Sequence, residues 1–560
     1  MAGMTSPLNY IRSSALFLLL AFTAQAAPLS PADRDAVRQQ QEQLLRQSQQ
    51  QRDELERSTT LPRSGQSTSA PQAAGPCFDI HTIILSGVTL ISEKAQQKLT
   101  APWQNQCLNM AKITELTAAI SDWYISRGYI TSRAFLTEQD LSHGELRIVV
   151  LEGKLRHILL EGESPRMLKM VFPGLEGKIL NLRDIEQGME QINRLRREPV
   201  QIDIVPDSEP GYSSVNLTAT PEFPLSASVS LDNSGQKSTG DDQLNGSLTA
   251  SNLLGLAEQW QVSGGRSSDF ATGYDAQNFQ AGFSMPYGYG LLDYSYAWSN
   301  YRTTLINQGF PWISTGDTKT HRLNGSWVVF RNGNIKTAFT AGVTQRSSRN
   351  WLNDAPLVSS TRNLSSLQLG ISHTQKVLGG VATFNPTFSH GMPWFNAATD
   401  EGKSGDEPRA QFRKGSLSAS FQRPFSADIV WLTSLYAQWS PDRLYGSERL
   451  TLGGESSVRG FKEQYLSGDN GGYWRNELNY VLFTLPLFGQ ISATAAVDGG
   501  WLEKDRLDRY ASGTLWGASA GLGSAGRWFA SQISVGTPLH YPDWLGPDHV
   551  SVNWRVAVTF

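Results

Sequence analysis

Residues 292–299 read LDYSYAWS, and the order of these side chains decides the fold class. Because successive residues of a strand point to opposite faces, one face of this segment is apolar and aromatic while the other is small and polar. A barrel wall with lipid outside and a hydrated lumen inside requires that division. The segment therefore predicts a strand of a membrane β-barrel. The expected lipid face holds Leu292, Tyr294, Tyr296 and Trp298, and the expected lumen face holds Asp293, Ser295, Ala297 and Ser299.

The same alternation continues through residues 223–560, where turn signals separate the alternating stretches. These residues hold sixteen such stretches, or about 21 residues for each strand with its connection. That length fits membrane strands of roughly 10 residues joined by alternating short turns and longer loops. A soluble β-sandwich or propeller is the competing interpretation, but the regular placement of aromatic residues near strand ends favours the barrel. The strands are predicted to begin near residues 225, 242, 258, 274, 290, 317, 334, 363, 379, 409, 428, 471, 486, 513, 527 and 549.

The last predicted strand ends on an aromatic residue and has apolar side chains at every second position before it. The alternation includes Trp554, Val556 and Val558, and the sequence stops at Phe560. This pattern resembles the assembly signal of outer-membrane barrels. It implies two partners, which are the lipid of the outer membrane and the barrel-assembly machinery that acts during biogenesis.

The first residues have the layout of an export signal. Arg12 precedes the apolar run Ala15 to Phe22, and small residues up to Ala26 follow it, so we expect a signal peptide at residues 1–26. The apolar run is less than half of the roughly 20 residues that a membrane-spanning helix needs, which disfavours an uncleaved anchor. The mean hydropathy of -0.33, with no later run of 18 apolar residues, argues against a helical inner-membrane protein.

The cysteine content and the net charge further limit the class of protein. Cys77 and Cys107 are the only cysteines, and an even count in an exported chain predicts one disulfide. A thiol nucleophile or a metal ligand is the alternative, but the pair lacks C-x-x-C spacing. The formal net charge of -3 provides no basic surface, so nucleic acid is not expected as a partner.

Two polar segments follow the signal peptide. Residues 27–58 predict a helix, because Ser30 stands as N-cap, Pro31 opens the first turn, and no glycine or other proline interrupts the rest. The helix is polar on nearly all sides, so it must lie in water, either in the periplasm or in the hydrated lumen of a pore. Residues 59–75, rich in Ser, Pro, Gly and Gln, predict a flexible linker.

Short strands then alternate with amphipathic helices, and the pattern occurs twice, at residues 76–152 and 153–222. Each repeat predicts a β-α-α-β-β module, an α+β domain with an exposed sheet edge. In the first module the elements are expected at residues 79–85, 92–99, 113–127, 131–136 and 145–152, and in the second at 156–161, 165–171, 182–197, 201–205 and 213–219.

This order of segments resembles the TpsB family, the outer-membrane transporters of two-partner secretion, over the whole mature chain. The resemblance implies that the two modules are periplasmic POTRA domains and that the polar helix plugs the pore. It also implies that a long loop after the eleventh strand, predicted at residues 442–471, folds back into the lumen. In that loop the family carries a V-R-G-[FY] motif, which is matched by Val458, Arg459, Gly460 and Phe461.

The family's second motif, F-x-D-x-G, lies on the barrel wall and supplies a carboxylate for the loop arginine. Asp498 and Gly500 match it on the thirteenth predicted strand, whereas Ala496 stands where the family has an aromatic residue. A guanidinium in a narrow lumen is costly unless it is paired, and its planar fork suits a bidentate carboxylate. The resemblance therefore implies an Arg459–Asp498 pair that pins the loop inside. Two unrelated solvated charges are the alternative.

The function implied by the resemblance is secretion of an unfolded partner exoprotein across the outer membrane. The POTRA domains would capture its N-terminal secretion domain, the helix would leave the lumen, and the chain would pass in extended form without ATP. Family members export haemolysins, adhesins and contact-dependent growth inhibition toxins. No nucleotide-binding or hydrolase motif occurs, so neither enzymatic activity nor a cofactor is expected. An assembly insertase of the same superfamily is the alternative, although it usually carries more POTRA domains and lacks the polar helix.

Overall fold

A computed structural model of the protein describes residues 29–57 and 76–560. The predicted signal peptide at residues 1–26 and the predicted linker at 59–75 lie outside the described residues. The described chain forms an N-terminal helix, two small α+β modules and a closed antiparallel barrel. In this part of the chain, no helix combines the length and the apolar content needed to cross a bilayer.

The N-terminal helix, α1, covers Pro31–Arg57. Its first turn is capped as the sequence indicates, because the Asp33 backbone N–H donates to Ser30 Oγ over 3.1 Å. Two of its few apolar side chains, Val37 and Leu55, are buried. The helix therefore has one thin apolar stripe on an otherwise polar surface.

Module 1 is a three-stranded sheet covered by helices, with a separate two-stranded pair at its start. Strands β2 and β5 are parallel, and β4 runs antiparallel to β5. The single strand expected at residues 79–85 is wrong, because its first half pairs with β3 while its second half joins the main sheet. The elements are β1 (Phe78–Ile80), β2 (Thr82–Ser86), α2 (Glu93–Thr100), β3 (Gln106–Leu108), α3 (Met110–Ser126), β4 (Arg133–Leu136) and β5 (Glu145–Leu151).

Module 2 repeats the arrangement, with β6 and β8 parallel and β7 antiparallel to β8. One face of α5 is buried through Ile185 and Ile192, which pack with Val215 of the sheet. The elements are β6 (Lys154–Leu160), α4 (Arg166–Val171), α5 (Leu182–Asn193), β7 (Gln201–Pro206) and β8 (Tyr212–Thr218).

The barrel contains sixteen long antiparallel strands, as predicted, and it closes where the last strand pairs with the first. The closing register runs from Arg555 opposite Asp232 to Thr559 opposite Ser228. A two-residue strand, β16 (Ala355–Pro356), adds to one outer hairpin, and two short strands, β21 (Leu450–Leu452) and β22 (Leu466–Gly468), belong to the lumen loop. The long strands are β9 (Leu225–Asp232), β10 (Gln243–Ser251), β11 (Gln259–Ser267), β12 (Asp275–Tyr287), β13 (Gly290–Asn307), β14 (Phe310–Arg331), β15 (Ile335–Leu352), β17 (Arg362–Val377), β18 (Gly380–Met392), β19 (Arg413–Pro424), β20 (Ile429–Trp439), β23 (Gly471–Leu485), β24 (Gly489–Leu502), β25 (Gly513–Ala525), β26 (Phe529–His540) and β27 (Ser551–Thr559).

The two faces of the wall differ as the alternation requires. Large apolar side chains such as Trp327 and Phe339 are more than half exposed on the outer face. Serine, threonine, asparagine and charged side chains of the same strands, including Thr320 and Lys336, line the lumen. Lipid therefore covers the apolar face and solvent fills the polar one.

The largest displacement of a predicted strand start is that of β14. Strand β14 was expected to begin near residue 317, but it begins at Phe310 and pairs with β13 up to Asn307. Gln308 and Gly309 make the tight turn, both with positive φ (51° and 79°). The lipid-facing alternation predicts only the part of a strand that lies in the membrane, so the part outside it was missed.

Helix α1 lies inside the barrel, against the inner faces of several strands. Gln51 donates to Ser372 Oγ of β17 over 2.8 Å, and Arg52 donates to Ser420 Oγ of β19 over 2.5 Å. Beside the helix, the lumen keeps a cavity of about 1850 Å³ lined by α1, α5 and the barrel wall. The helix thus occupies the pore together with the loop described next.

Candidate functional site in the barrel lumen

The loop between β20 and β23 turns into the lumen instead of leaving the barrel. Its strands β21 and β22 pair as a hairpin, from Leu450 opposite Gly468 to Leu452 opposite Leu466. The tip of this hairpin carries the predicted motif, and Val458 and Phe461 are buried there. The apolar cluster around them also includes Leu452, Leu466, Tyr473, Leu502 and Leu515.

Arg459 points from the tip to Asp498 on β24. Its Nε donates to Asp498 Oδ2 over 2.7 Å, its Nη2 donates to Oδ1 over 2.8 Å, and its backbone N–H donates to Oδ2 over 3.0 Å. Side-chain exposure is 6% for Arg459 and 0% for Asp498. We call this bidentate pair the lumen latch. Such a pair holds the loop strongly, because separating the two side chains would leave a buried charge without a partner.

Two neighbours on β23 complete the latch, and no pattern in the sequence indicates them. Arg459 Nη1 donates to Glu477 Oε2 over 2.6 Å, and the Asn476 backbone N–H donates to Asp498 Oδ1 over 3.3 Å. Glu477 stands directly opposite Ala496, the position where the family motif has an aromatic residue. Only the pairing register of β23 with β24 brings these residues together, so a single sequence cannot reveal them.

The latch tip also needs room for its backbone. Gly460 has a φ of +98°, and a Cβ there would lie 2.5 Å from Thr537 O. Gly517 on β25 faces the tip, since a Cβ at that position would lie 1.8 Å from Arg459 O. Gly536 on β26 would bring its own Cβ within 2.8 Å of Gly460 Cα. Three glycines therefore let the loop backbone touch the wall, and two of them are additions to the predicted motif. Gly500, which belongs to the predicted barrel-wall motif, faces Leu452 and Val458 of the loop.

Helix α1 bonds to the same loop. Gln41 donates to the carbonyl of Thr451 over 2.8 Å and accepts from Ser456 Oγ over 2.9 Å. The Arg34 guanidinium lies 4.5 Å from the centroid of the Tyr465 ring. It also lies 3.7 Å from the carboxylate of Glu463. The loop is thus fixed to the wall on one side by the latch and to the helix on the other by polar contacts.

At the other end of α1, three parts of the protein share one group of charges. Lys336 of β15 lies 2.9 Å from Glu54 of α1 and also contacts Glu190 of α5 in module 2. Arg331 of β14 lies 2.5 Å from Glu190 and 3.6 Å from Glu186. We call these residues the base cluster. Because Arg331 is almost fully buried, its pair with Glu190 must remain intact.

In module 1 the disulfide and a buried carboxylate fix the fold. Cys77 and Cys107 are bonded, as predicted. Glu152 Oε1 accepts from the backbone N–H of Thr89 over 2.9 Å and from Tyr124 Oη over 2.7 Å. Burial raises the pKa of Glu152, but the hydrogen bonds from Thr89 and Tyr124 outweigh burial and hold its pKa below the usual range.

The C-terminal residues lie at the barrel seam. Val556 and Val558 stand opposite Leu231 and Val229 of β9 on the exposed face, and the Phe560 N–H donates to Ala227 O over 2.7 Å. Trp554 stands opposite Ile533 of β26. The predicted assembly signal therefore coincides with the strand that closes the barrel, while its role in assembly stays a prediction.

The fold and the lumen geometry define a class, the outer-membrane β-barrel transporters with periplasmic modules. Residues 211–524 match the family described as haemolysin secretion/activation protein ShlB/FhaC/HecB. Residues 78–153 match a ShlB-type POTRA domain, and residues 154–206 match a POTRA domain. The chain belongs to this family, as the TpsB resemblance implied, and it is an outer-membrane transporter of two-partner secretion with its POTRA domains in the periplasm.

Individual relatives agree with this assignment. The outer membrane transporter CdiB of Escherichia coli is 58% identical over 97% of this chain and 92% of its own length. The hemolysin transporter protein ShlB of Serratia marcescens is 29% identical over 87% of this chain and 84% of its own length. The solved structure of CdiB from Escherichia coli superposes with a TM-score of 0.91, covering 96% of this chain and all of that one. These relatives are transporters, which favours secretion over the insertase alternative.

Proposed function

We propose that α1 and the lumen loop close the resting pore and that α1 leaves first when a partner exoprotein arrives. The observation that carries this proposal is the difference between their attachments. Helix α1 is held by polar bonds such as Gln41 to Ser456 and Arg52 to Ser420, which water can replace. The loop is held by a buried bidentate pair and an apolar cluster, which water replaces poorly.

The route vacated by α1 suits an extended polypeptide. Its wall is lined by serine, threonine, glutamine and charged side chains, which can satisfy the backbone groups of a moving chain. No nucleotide-binding motif accompanies the pore, so passage takes place without ATP. The lumen loop then shifts within the barrel as the chain passes.

The POTRA domains receive the N-terminal secretion domain of the exoprotein. In module 1, β2 and β4 are the edges of the sheet, and in module 2 the edges are β6 and β7. An unpaired edge accepts an extended segment by strand addition. Glu190 of module 2 and Glu54 of α1 share Lys336 of the wall, so binding to module 2 acts on the helix through that lysine.

Of the cargo classes that the family exports, we infer that the exoprotein is of the kind carried by CdiB transporters and is not a haemolysin. Identity of 58% with CdiB of Escherichia coli, against 29% with the hemolysin transporter ShlB, supports this assignment. The chain should restore exoprotein secretion to a strain that lacks CdiB and not to one that lacks ShlB. Restoration of haemolysin secretion alone would contradict the assignment.

A covalent tether tests the helix-first order. The variant Gln41→Cys with Ser456→Cys carries one thiol on α1 and one on the loop, and a bismaleimide joins them. Secretion should stop after cross-linking in the double variant and continue in each single variant treated in the same way. Continued secretion through a fully cross-linked double variant would show that α1 does not need to leave the loop.

A further inference from the structure

The hairpin formed by β13 and β14 ends in a stretch without charge. No residue from Thr303 to Gly316 is charged, although Arg302 and Asp317 flank this stretch. Large apolar side chains are nevertheless exposed there, at the end of the barrel opposite the modules. They are Leu305 (59%), Ile306 (77%), Phe310 (56%) and Trp312 (38%).

A polar band separates this tip from the lipid. The outer face of β14 carries Leu323, and closer to the tip it carries Lys319 and then Asp317. Trp298 of β13 stands opposite Lys319. Aromatic residues followed by charged ones mark the edge of the lipid-facing zone. From Trp298 to Leu305 the strand continues for roughly 20 Å at its usual rise. Contact with lipid therefore does not account for the apolar tip.

Strand alternation directs part of the tip toward the pore axis. Ser299 stands opposite Thr318, and both line the lumen. Three steps of two residues farther along, the same face carries the opposed pair Leu305 and Trp312. Phe310 lies edge-on against Trp312, with ring centroids 5.5 Å apart. We call Leu305, Phe310 and Trp312 the inner tip face; it continues the lumen wall beyond the membrane.

The tip also has a strand edge. β13 pairs with β12 only as far as Arg302, and among the described residues no strand pairs with residues 305–307 on that side. Thr304 marks the limit, because its hydroxyl donates to Gly273 O over 2.6 Å. Unpaired backbone groups of an edge are a template for one more strand.

We propose that the inner tip face is a docking surface for the exported polypeptide as it emerges in extended form. This proposal rests on the proposed function, in which that chain passes along the lumen wall. The wall is polar up to Thr318, and the inner tip face lies directly in line with it. An extended chain can place alternate apolar side chains on Leu305 and Trp312 while its backbone pairs with the edge of β13.

Photo-cross-linking tests the contact. The exoprotein carries an N-terminal tag and a disulfide-stapled C-terminal domain, which stalls it in the pore. Benzoylphenylalanine replaces Trp312 on the inner face or Ile306 on the outer face. The expected product joins the tagged exoprotein to position 312 and is absent or weak at 306. Equal products from both faces, or products only with lipopolysaccharide or a second copy of this chain, would overturn the proposal.

Secretion kinetics test whether the contact matters. Leu305→Ser with Trp312→Ser should slow the appearance of the exoprotein outside the cell by about fivefold to thirtyfold, the factor expected when one or two kcal/mol of binding is lost. Ile306→Ser, the matched control, should leave the rate unchanged. Heat-modifiable migration of both variants shows whether their barrels assemble. If the double variant does not assemble, the cross-linking result at position 312 alone tests the docking surface.

Two kinds of failure remain distinguishable. A parent chain that secretes no exoprotein refutes the proposed function. A parent chain that secretes normally, with a double variant as fast as Ile306→Ser, refutes only the docking surface.

Discussion

Two arginines of this chain hold an aspartate with the same set of donors, and this allows the lumen latch to be tested against a matched pair. Arg459 uses its backbone N–H, Nε and Nη2 on Asp498, and Arg413 uses the same three groups on Asp442 over 2.9, 3.0 and 3.1 Å. Asp442 lies at the base of the same loop. The pairs differ in burial, since Arg413 is 57% exposed and Arg459 is 6% exposed.

Burial sets the expected cost of removing each arginine. Arg459→Ala leaves Asp498 fully buried with only the backbone N–H groups of residues 459 and 476 as donors, and breaking a buried pair in this way costs about 3 to 5 kcal/mol. Arg413→Ala breaks an exposed pair, which is worth about 0 to 1 kcal/mol. At about 1.4 kcal/mol per tenfold change, the docked loop should open at least a hundredfold more often in the first variant and at most about fivefold more often in the second.

The assay is labelling of a single thiol. Both natural cysteines form the disulfide, so Ser457→Cys introduces one free thiol at a position that is fully buried in the docked loop. In outer-membrane vesicles, the maleimide labelling rate of this thiol follows the open fraction of the loop. Equal labelling rates in the Arg459→Ala and Arg413→Ala backgrounds would refute the argument that burial makes the latch strong.

Three further predictions concern the other charged and covalent features. Lys336→Met removes the cation shared by α1 and module 2, so the pore should be open for a larger fraction of the time in single-channel recordings. Lys319→Met, at an exposed position, is the control, and equal open fractions in the two variants would contradict this. The lowered pKa of Glu152 means that its carboxylate stabilises module 1 above about pH 4.3 and that this stability is lost as pH falls through the lowered folded pKa. Glu152→Gln should therefore lower the stability of module 1 at pH 7 and flatten the dependence of that stability on pH. Hydrogen exchange, corrected for intrinsic rates, measures both, and an unchanged pH profile would contradict this role of Glu152. Replacing Cys77 and Cys107 by Ser should cost module 1 about 3 to 4 kcal/mol for a loop of this length, measured by its protease susceptibility against the oxidised parent.

The barrel could be predicted from the sequence because its alternation is local. Predicted starts near residues 225, 290, 471 and 513 coincide with the observed strands β9, β13, β23 and β25. Lipid outside and water inside impose the same period on every strand, so each one carries its own signal. The start of β14 was missed because its outer half lies in water on both faces and has no such period.

The lumen site could be predicted only in part. Arg459 and Asp498 were found through a family resemblance, but Glu477 and the glycines at 517 and 536 depend on strand register. The base cluster joins residues from α1, α5 and two barrel strands, and no periodic pattern relates Glu54 to Lys336. Contacts of this kind follow from how separate elements pack, which single-sequence periodicity does not encode.

The presence of α1 in the lumen also bears on the width of the chain that the transporter can carry. A helix with its side chains is about 10 to 12 Å across, so the departure of α1 under the proposed function would add room for one extended chain or a narrow hairpin to the cavity beside it. A folded domain of 100 residues has a radius of gyration of about 13 Å and does not fit. Under the proposed function the pore therefore passes an unfolded chain and excludes a folded domain, and an exoprotein segment that folds in the periplasm would block the route.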